Sequence, residues 1–578
     1  MKKLVSLLLV IAMLASLAAC GGNTAVEEKP NDPVVEATDA AGEVTPEAPE
    51  EINYYGFNEP VNIKIGVSYA AASDFTFYGG ETVEDNAWMD LYKANNIIPE
   101  IMWDVDPSQA ETKLSTAIMS GDYPDVFQGT GAEYANYVES GAVADITEVF
   151  EKYASPELKE YMEFDGGMAL GALYIDGRLY GLPKVTDPQA GVDVMWIRMD
   201  WLENLGLEIP KTMEDLKAVA YAFTHNDPDG NGKNDTYGIA FDGVDVLTTS
   251  VGNMESFFNA FDVYLDDDGL TYVENEDGTI RWGGDNSEGM KQALQMLRDM
   301  YAEGSIAKDF VTMNGSSIFA ETGAGNCGIW FGPNWGAMEP AVNATKNDPN
   351  AHVVACPVPT GNVEVTKAYA AATPSKVFFV SSQCEHPEVF IKLWNLAVKY
   401  QNTKFCTAEE YNMYYGDSAN YSGWKTSIIE GGMQTGRSVN KALVAALAAG
   451  DGTGLDAKQT ENYTSMKAYI DAVADGTFDP NDSTHARGLS LYTVHADPMS
   501  AWVVIHELIE KDRYVLAAYN GIPSEEVSNA TGTLEKLLIE TIIKIITGAD
   551  EVDSYDDFLK TWYAMGGQTA IDEANAAK

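Results

Sequence analysis

Apolar and polar positions alternate along Val61-Asn62-Ile63-Lys64-Ile65-Gly66-Val67, and the apolar set is rich in branched side chains. A period of two with these residue types predicts a half-buried strand. A helix is expected over 86–93, a strand over 97–103, and a helix over 111–119 with Leu114 and Ile118 on one face, halted by Gly121. Asp125-Val126-Phe127 then reads as a short strand. This β-α-β-α-β rhythm predicts a parallel or mixed sheet wrapped by helices.

A second series opens after Leu179-Tyr180-Gly181-Leu182-Pro183, with a strand over 192–197. Thr212 and Asp215 form a capping-box pattern, and the helix it starts places Leu216, Val219, Ala220 and Phe223 on one face. That helix runs into the loop HNDPDGNGKNDTYG, which exits into a strand over 237–241. The last third reads as mostly helical, with a helix over 534–546 closed by Gly548 and another burying Phe558, Trp562 and Met565. Residues 411–498 carry the weakest pattern.

The N-terminus changes the picture. Met1-Lys2-Lys3 precedes an apolar run of about 16 residues that ends at Leu17-Ala18-Ala19-Cys20, too short for a membrane span of about 20 residues. The pattern is that of a lipoprotein signal peptide, 1–19, with acyl chains expected on Cys20 (palmitate) and the mature chain outside the cytoplasm. Over 20–58, acidic residues and prolines dominate. Such a segment reads as an extended, self-repelling tether with a reach of roughly 35 Å.

The remaining ~520 residues exceed one typical core and predict at least two lobes. With 88 acidic against 36 basic residues the net charge is −52, so nucleic acid and anionic lipid surfaces are excluded as main partners. Cys327, Cys356, Cys384 and Cys406 show no CxxC spacing, which speaks against zinc. One or two disulfides are compatible with them, in pairings that spacing does not define.

The loop after Phe223 carries the clearest candidate chemistry. Counting from Asp227, positions one, three and five are Asp227, Asp229 and Asn231, position six is Gly232, position seven is Lys233 through its carbonyl, and position nine is Asp235. Alternating oxygen ligands around a glycine turn suit calcium. Position twelve is Gly238 rather than Glu, so the ligand that drives opening in calcium sensors is missing and a structural Ca2+ is expected, completed by carbonyls, water or Thr236. The competing reading is a solvated Asx-rich turn.

Other motifs lead nowhere. Gly323-Ala324-Gly325-Asn326-Cys327-Gly328 satisfies GxGxxG but precedes a strand, where a dinucleotide site needs a helix. His506-Glu507-Leu508-Ile509-Glu510 places Glu510 where a zincin needs its second His. Acid pairs able to hydrolyse glycosides remain open, because so acidic a chain always contains some.

Taken in order, Ser120-Gly121-Asp122-Tyr123-Pro124-Asp125-Val126-Phe127, Gly177-Arg178-Leu179-Tyr180-Gly181-Leu182-Pro183, the run from Trp196-Ile197-Arg198-Met199-Asp200-Trp201 to Pro210-Lys211-Thr212, and the acidic loop resemble the extracellular solute-binding proteins of family 1. These are lipoprotein components of carbohydrate ABC importers, and the resemblance is to the large polysaccharide-importer and alginate-oligosaccharide binder subgroup. It spans most of the folded chain.

The resemblance implies an α/β, two-lobed, periplasmic-binding-protein-like fold. Each lobe is expected to hold a mixed sheet flanked by helices, with a hinge and a helical C-terminal region. The implied division is 59–186 and 357–408 for lobe 1, and 187–356 and 409–578 for lobe 2, with crossings near 183–190, 356–359 and 401–411. Alginate binders of this kind carry calcium on a similar loop, although Thr236 stands where they place Glu.

The function implied is capture of an oligosaccharide by hinge closure and delivery to ABC importer permease subunits, by a monomer lipid-anchored to the membrane, expected in a Gram-positive cell. Such a protein is not an enzyme. Sugar recognition would use aromatic faces and polar side chains. Trp335 matches an aromatic that lines the cleft in the relatives, with Asn334, Trp103, Gln128, Trp196, Trp282, Tyr69 and Asp125 as further candidates. The rival readings are a surface glycoside hydrolase or polysaccharide lyase, and a sugar-sensing subunit for a histidine kinase.

Overall fold

The computed structural model describes residues 52–68, 77, 80–187, 191–247, 250–266, 269–370, 376–418, 421–433, 436–521 and 523–578. Cys20 and Tyr69 lie outside the described residues. Residues Ile52–Lys578 form one compact unit.

The principal strands are β1 (Val61–Val67), β2 (Ile97–Asp104), β3 (Val126–Gly129), β4 (Gly181–Pro183), β5 (Val194–Arg198), β6 (Tyr237–Ile239), β7 (Cys327–Gly332), β8 (Val353–Cys356), β9 (Ala368–Ala370), β10 (Val377–Val380) and β11 (Tyr514–Leu516), of which β9 and β11 pair with each other outside the two main sheets. One sheet has the order β2-β1-β3-β10-β4 and the other β8-β5-β7-β6. In the first, β1 is parallel to β2 and β3, while β10 runs antiparallel to β3 and β4. In the second, β5 is antiparallel to both β7 and β8, and β7 is parallel to β6. Both sheets are therefore mixed, and helices cover them.

The alternation of β1 is realised as expected: Val61, Ile63, Ile65 and Val67 are buried and the residues between them are more exposed. Helix α1 (Ala87–Ala94) starts where the Asn86 side chain accepts from the backbone N–H of Trp88 and Met89. Helix α2 (Pro107–Ser120) ends before Gly121, whose φ of 77° places it in the left-handed region that glycine tolerates. Helix α3 (Met213–His225) carries the reciprocal Thr212–Asp215 capping box and buries Leu216, Val219, Ala220 and Phe223.

Two large apolar cores follow. The first joins β1 to β4 with β10 and extends to Ile429, and the second runs from Val192 to Cys356 and resumes with Ala370 and the C-terminal helices. The chain thus passes between cores after Val185, after Ala370 and after Ile429. The second passage is later than the 356–359 expected, because β9 pairs in parallel with β11 and keeps residues 368–370 in the second core. The third is later than 401–411, because Phe405, Tyr414 and Ile429 still pack in the first.

The weakly patterned tract contains helices Ala408–Tyr414, Gly436–Ala449, Ala457–Ala474 and Ser483–His495. Near the end, Phe558 and Trp562 are buried, but Met565 is 44% exposed. Gly566, at φ 126°, kinks the helical path beside it and turns Met565 outward. The four described cysteines are all free.

Candidate functional site

A cavity of about 640 Å3 opens at the carboxyl ends of β1 and β3. Its lining includes Ser68, Trp103, Gln128, Thr130, Lys376 and Glu430. This is where open sheets with parallel strands place ligands, and the volume suits an extended small molecule.

Trp103 reaches the cavity because of a local irregularity. The register of β1 on β2 slips between Ile65 and Gly66, so Gly66 opposes Trp103 instead of Met102. A bulge of this kind re-aims a side chain. Gly66 is needed beneath the indole: a Cβ there would fall 2.5 Å from the ring. The Lys113 ammonium lies 5.4 Å from the ring centroid. Gln128, near the end of β3, is exposed and lines the same space.

Asp125 has a different job. Its carboxylate accepts a 2.7 Å hydrogen bond from the Lys64 backbone N–H, and its own backbone N–H donates to the Lys64 carbonyl. It joins β1 to β3 ahead of the cavity and is absent from the lining.

Trp335 lies in the turn after β7 and is 42% exposed, its ring 6.4 Å from that of Phe319. Asn334 beside it is half-buried. Trp196 is wholly buried in β5, and its indole N–H donates to the Pro333 carbonyl at 3.2 Å. Trp282 is also wholly buried, stacked on Trp562 at 4.0 Å with 16° between planes. Both are core residues and not ligand contacts: burial on every side leaves no face for a sugar ring.

The acidic loop is internally bonded, with Asp227 and Asp229 half-buried and residues 230–235 exposed. The Asp227 carboxylate accepts from Gly232 N–H, and the Asn231 amide nitrogen donates to Asp229 at 2.6 Å and Asp235 at 3.1 Å. Desolvation, with the charges of Asp235 and Asp227 nearby, raises the Asp229 carboxyl above its ordinary range. Among the described residues no three His, Cys, Asp or Glu side chains already converge at metal-binding geometry. The oxygens of Asp227, Asp229, Asn231 and Asp235 nevertheless fit a hard cation by chemistry, and Gly230 and Gly232 give the loop the positive φ it needs to curl. Thr236 is buried, and its hydroxyl donates to the Phe223 carbonyl.

A model of the bacterial extracellular solute-binding proteins matches residues 87–399. The chain belongs to this family. Among curated relatives of this solute-binding protein, the fructooligosaccharide ABC transporter substrate-binding protein FusA of Streptococcus pneumoniae is 29% identical over 241 residues, 40% of this chain and 43% of FusA. The polygalacturonan/rhamnogalacturonan-binding protein YtcQ of Bacillus subtilis is 27% identical over 258 residues, 44% of this chain and 48% of YtcQ. The matches therefore span less than half of either relative.

The fold likeness is wider. An HMO-binding solute-binding protein of Bifidobacterium longum infantis aligns at TM-score 0.60 with 16% identity, covering 90% of this chain and 98% of that one. FusA bound to kestose aligns at 0.56 with 18% identity, covering 90% and 100%. The solute-binding protein thus shares the two-lobed fold of these structures.

One cluster has no sign in the local sequence pattern beyond Lys184. Glu430 accepts from Lys184 at 2.8 Å and from Lys376 at 2.5 Å, and the Lys184 backbone N–H donates to the Lys376 carbonyl. Burial would raise the Glu430 carboxyl, but the two ammonium groups prevail and hold it below its ordinary value. Each residue adjoins a different passage between the cores. The one legible sign was Lys184 itself, directly after the Gly181-Leu182-Pro183 strand.

Proposed function

We propose that this solute-binding protein is a membrane-anchored receptor that captures an oligosaccharide by closing its lobes and passes it to the permease of an ABC importer. The cavity at the ends of β1 and β3, in a chain of this family, carries the reading. In the cavity Trp103 offers a face for a pyranose or furanose ring, and Ser68, Gln128 and Thr130 offer partners for its hydroxyls. Trp335, exposed on the turn after β7, lies outside the cavity's lining and would reach the sugar only from the other core on closure. FusA and YtcQ, by their descriptions, bind a fructooligosaccharide and a polygalacturonan, which supports a carbohydrate as ligand. Closure gains only what the ligand contacts differently in the open and closed states.

The receptor makes and breaks no bond. Two cavity carboxylates are already engaged: Glu133 accepts from Thr130 and Tyr137, and Glu430 from two lysines.

Two further parts belong to the proposal. Cys20 carries the acyl anchor, in keeping with its lipobox and with the matched lipoprotein LipO of Bacillus subtilis. The loop from Asp227 to Asp235 holds a structural calcium, supported by its ligand spacing and by the matched structures described as a FusA EF-hand mutant and as AlgQ2 without calcium ion.

The test is titration of the purified chain against defined oligosaccharides, with and without a chelator, followed by assay for new reducing ends and unsaturated uronates. Saturable binding without product is expected. Sustained product formation would replace the receptor with an enzyme.

A further inference from the structure

The cavity's charge selects among sugars. Of its described lining, Lys376 and Lys425 are cationic and Glu111, Glu133 and Glu430 anionic. Lys184, outside the lining, shares the Glu430 carboxylate with Lys376. With Lys113 over the Trp103 ring, four ammonium groups stand near three carboxylates, so at most one positive charge is left over to meet a polyanion. Beyond the lining, the chain's net charge of −52 opposes any anionic ligand.

Glu430 holds the balance. Its side chain is 18% exposed and those of Lys184 and Lys376 are 24% and 30% exposed, so water screens the group only in part. A carboxylate held below its ordinary pKa between two cations stays ionised throughout the neutral range. Lys376 is therefore presented to the cavity as half of an ion pair and not as a free anion receptor. A sugar hydroxyl can still bond to such a pair, since a shared ammonium keeps N–H donors and a carboxylate keeps lone pairs. A uronate carboxylate could accept from the same donors only against the repulsion of the adjacent Glu430 carboxylate.

We propose that Glu430 is the specificity-determining residue of the cavity: by pairing Lys376 it makes the site take neutral oligosaccharides and refuse uronic-acid chains. The proposal rests on the receptor reading and narrows its ligand class.

Calorimetric titration with neutral oligosaccharides and with oligogalacturonate of equal length tests it. The wild-type chain should bind a neutral member and bind oligogalacturonate worse. Glu430→Gln should raise affinity for oligogalacturonate about tenfold or more, with a dependence on salt that the wild type lacks. Glu430→Asp keeps the charge and should leave anion affinity within about threefold of wild type; equal gains in both variants would point to loosened packing and overturn the proposal.

If Glu430→Gln does not fold, Glu111→Lys carries the test. Glu111 is exposed on α2, so its replacement spares the core, and the altered lining should again gain oligogalacturonate affinity. Wild-type preference for oligogalacturonate, or no gain in the charge variants, overturns the proposal. A wild type that binds no sugar at all sinks the receptor reading, while the gain in the variants still decides the charge argument.

Discussion

The buried Trp196 indole braces the turn that exposes Trp335: its N–H donates to the Pro333 carbonyl at 3.2 Å, two residues before the exposed ring. A core residue of β5 thereby fixes a surface aromatic. Gly336, which completes the turn, would bring an added Cβ to 3.0 Å from the same indole nitrogen.

Trp196→Phe keeps most of the bulk and removes the donor. Loss of one buried hydrogen bond should cost about 1–2 kcal/mol of stability and weaken sugar binding through the turn. Trp335→Ala should instead leave the melting temperature within a few degrees and lower affinity about tenfold, which corresponds to about 1.4 kcal/mol. Calorimetry and thermal melts on both variants separate the roles. Unchanged affinity in a folded Trp335→Ala protein would remove Trp335 from the site.

Trp282 is expected to matter for folding alone. It is stacked on Trp562, with its N–H donating to the Gly269 carbonyl at 2.8 Å. Trp282→Ala should destabilise by about 3–5 kcal/mol, read by denaturant unfolding, and any variant that stays folded should bind sugar as wild type does.

Chelation should lower the melting temperature, because a cation bound only by the folded loop stabilises by mass action, about 2.7 kcal/mol at a hundredfold excess over Kd. Asp229→Ala should abolish the calcium-dependent part of that stability and leave sugar affinity little changed where the protein is folded. A folded Asp229→Ala protein with lost sugar affinity would move the loop into the binding site.

The pH dependence should carry a signature of Asp193. Burial pushes its carboxyl up to about 7, against an accepting bond from Asn253 that favours the charged form. Between pH ~4 and ~7 the folded state keeps a proton that the unfolded chain has lost, so this group's contribution to stability falls as pH rises through that window. Asp193→Asn should therefore gain melting temperature relative to wild type at pH 8 more than at pH 5. An equal difference at both pH values would show that Asp193 does not titrate as described.

β1 of the first core and α3 of the second were legible because one face of each is wet: β1 alternates, and α3 carries both its cap and its apolar stripe. The roles of the tryptophans were not legible. An indole in a strand looks the same in sequence whether it faces a core, as Trp196 and Trp282 do, or a cavity, as Trp103 does through a one-residue register slip at Gly66. Asp125 looked like a cleft residue because it precedes β3, yet its bonds go back to Lys64. The passage expected at 356–359 was misplaced because a three-residue pairing of β9 with β11, 146 residues apart by register such as Tyr369 with Val515, leaves no local signal. The Lys184–Glu430–Lys376 cluster is likewise assembled from distant segments that only the fold unites.

The central claim is that the cavity beside Trp103 binds an oligosaccharide without transforming it. Titration calorimetry against a defined oligosaccharide panel tests this most directly, because binding gives heat that saturates and returns to baseline after each injection, whereas turnover gives sustained heat. Saturable one-to-one binding to at least one neutral oligosaccharide, weakened by Trp103→Ala, is expected. Sustained heat of reaction, or no binding across the panel, would contradict it.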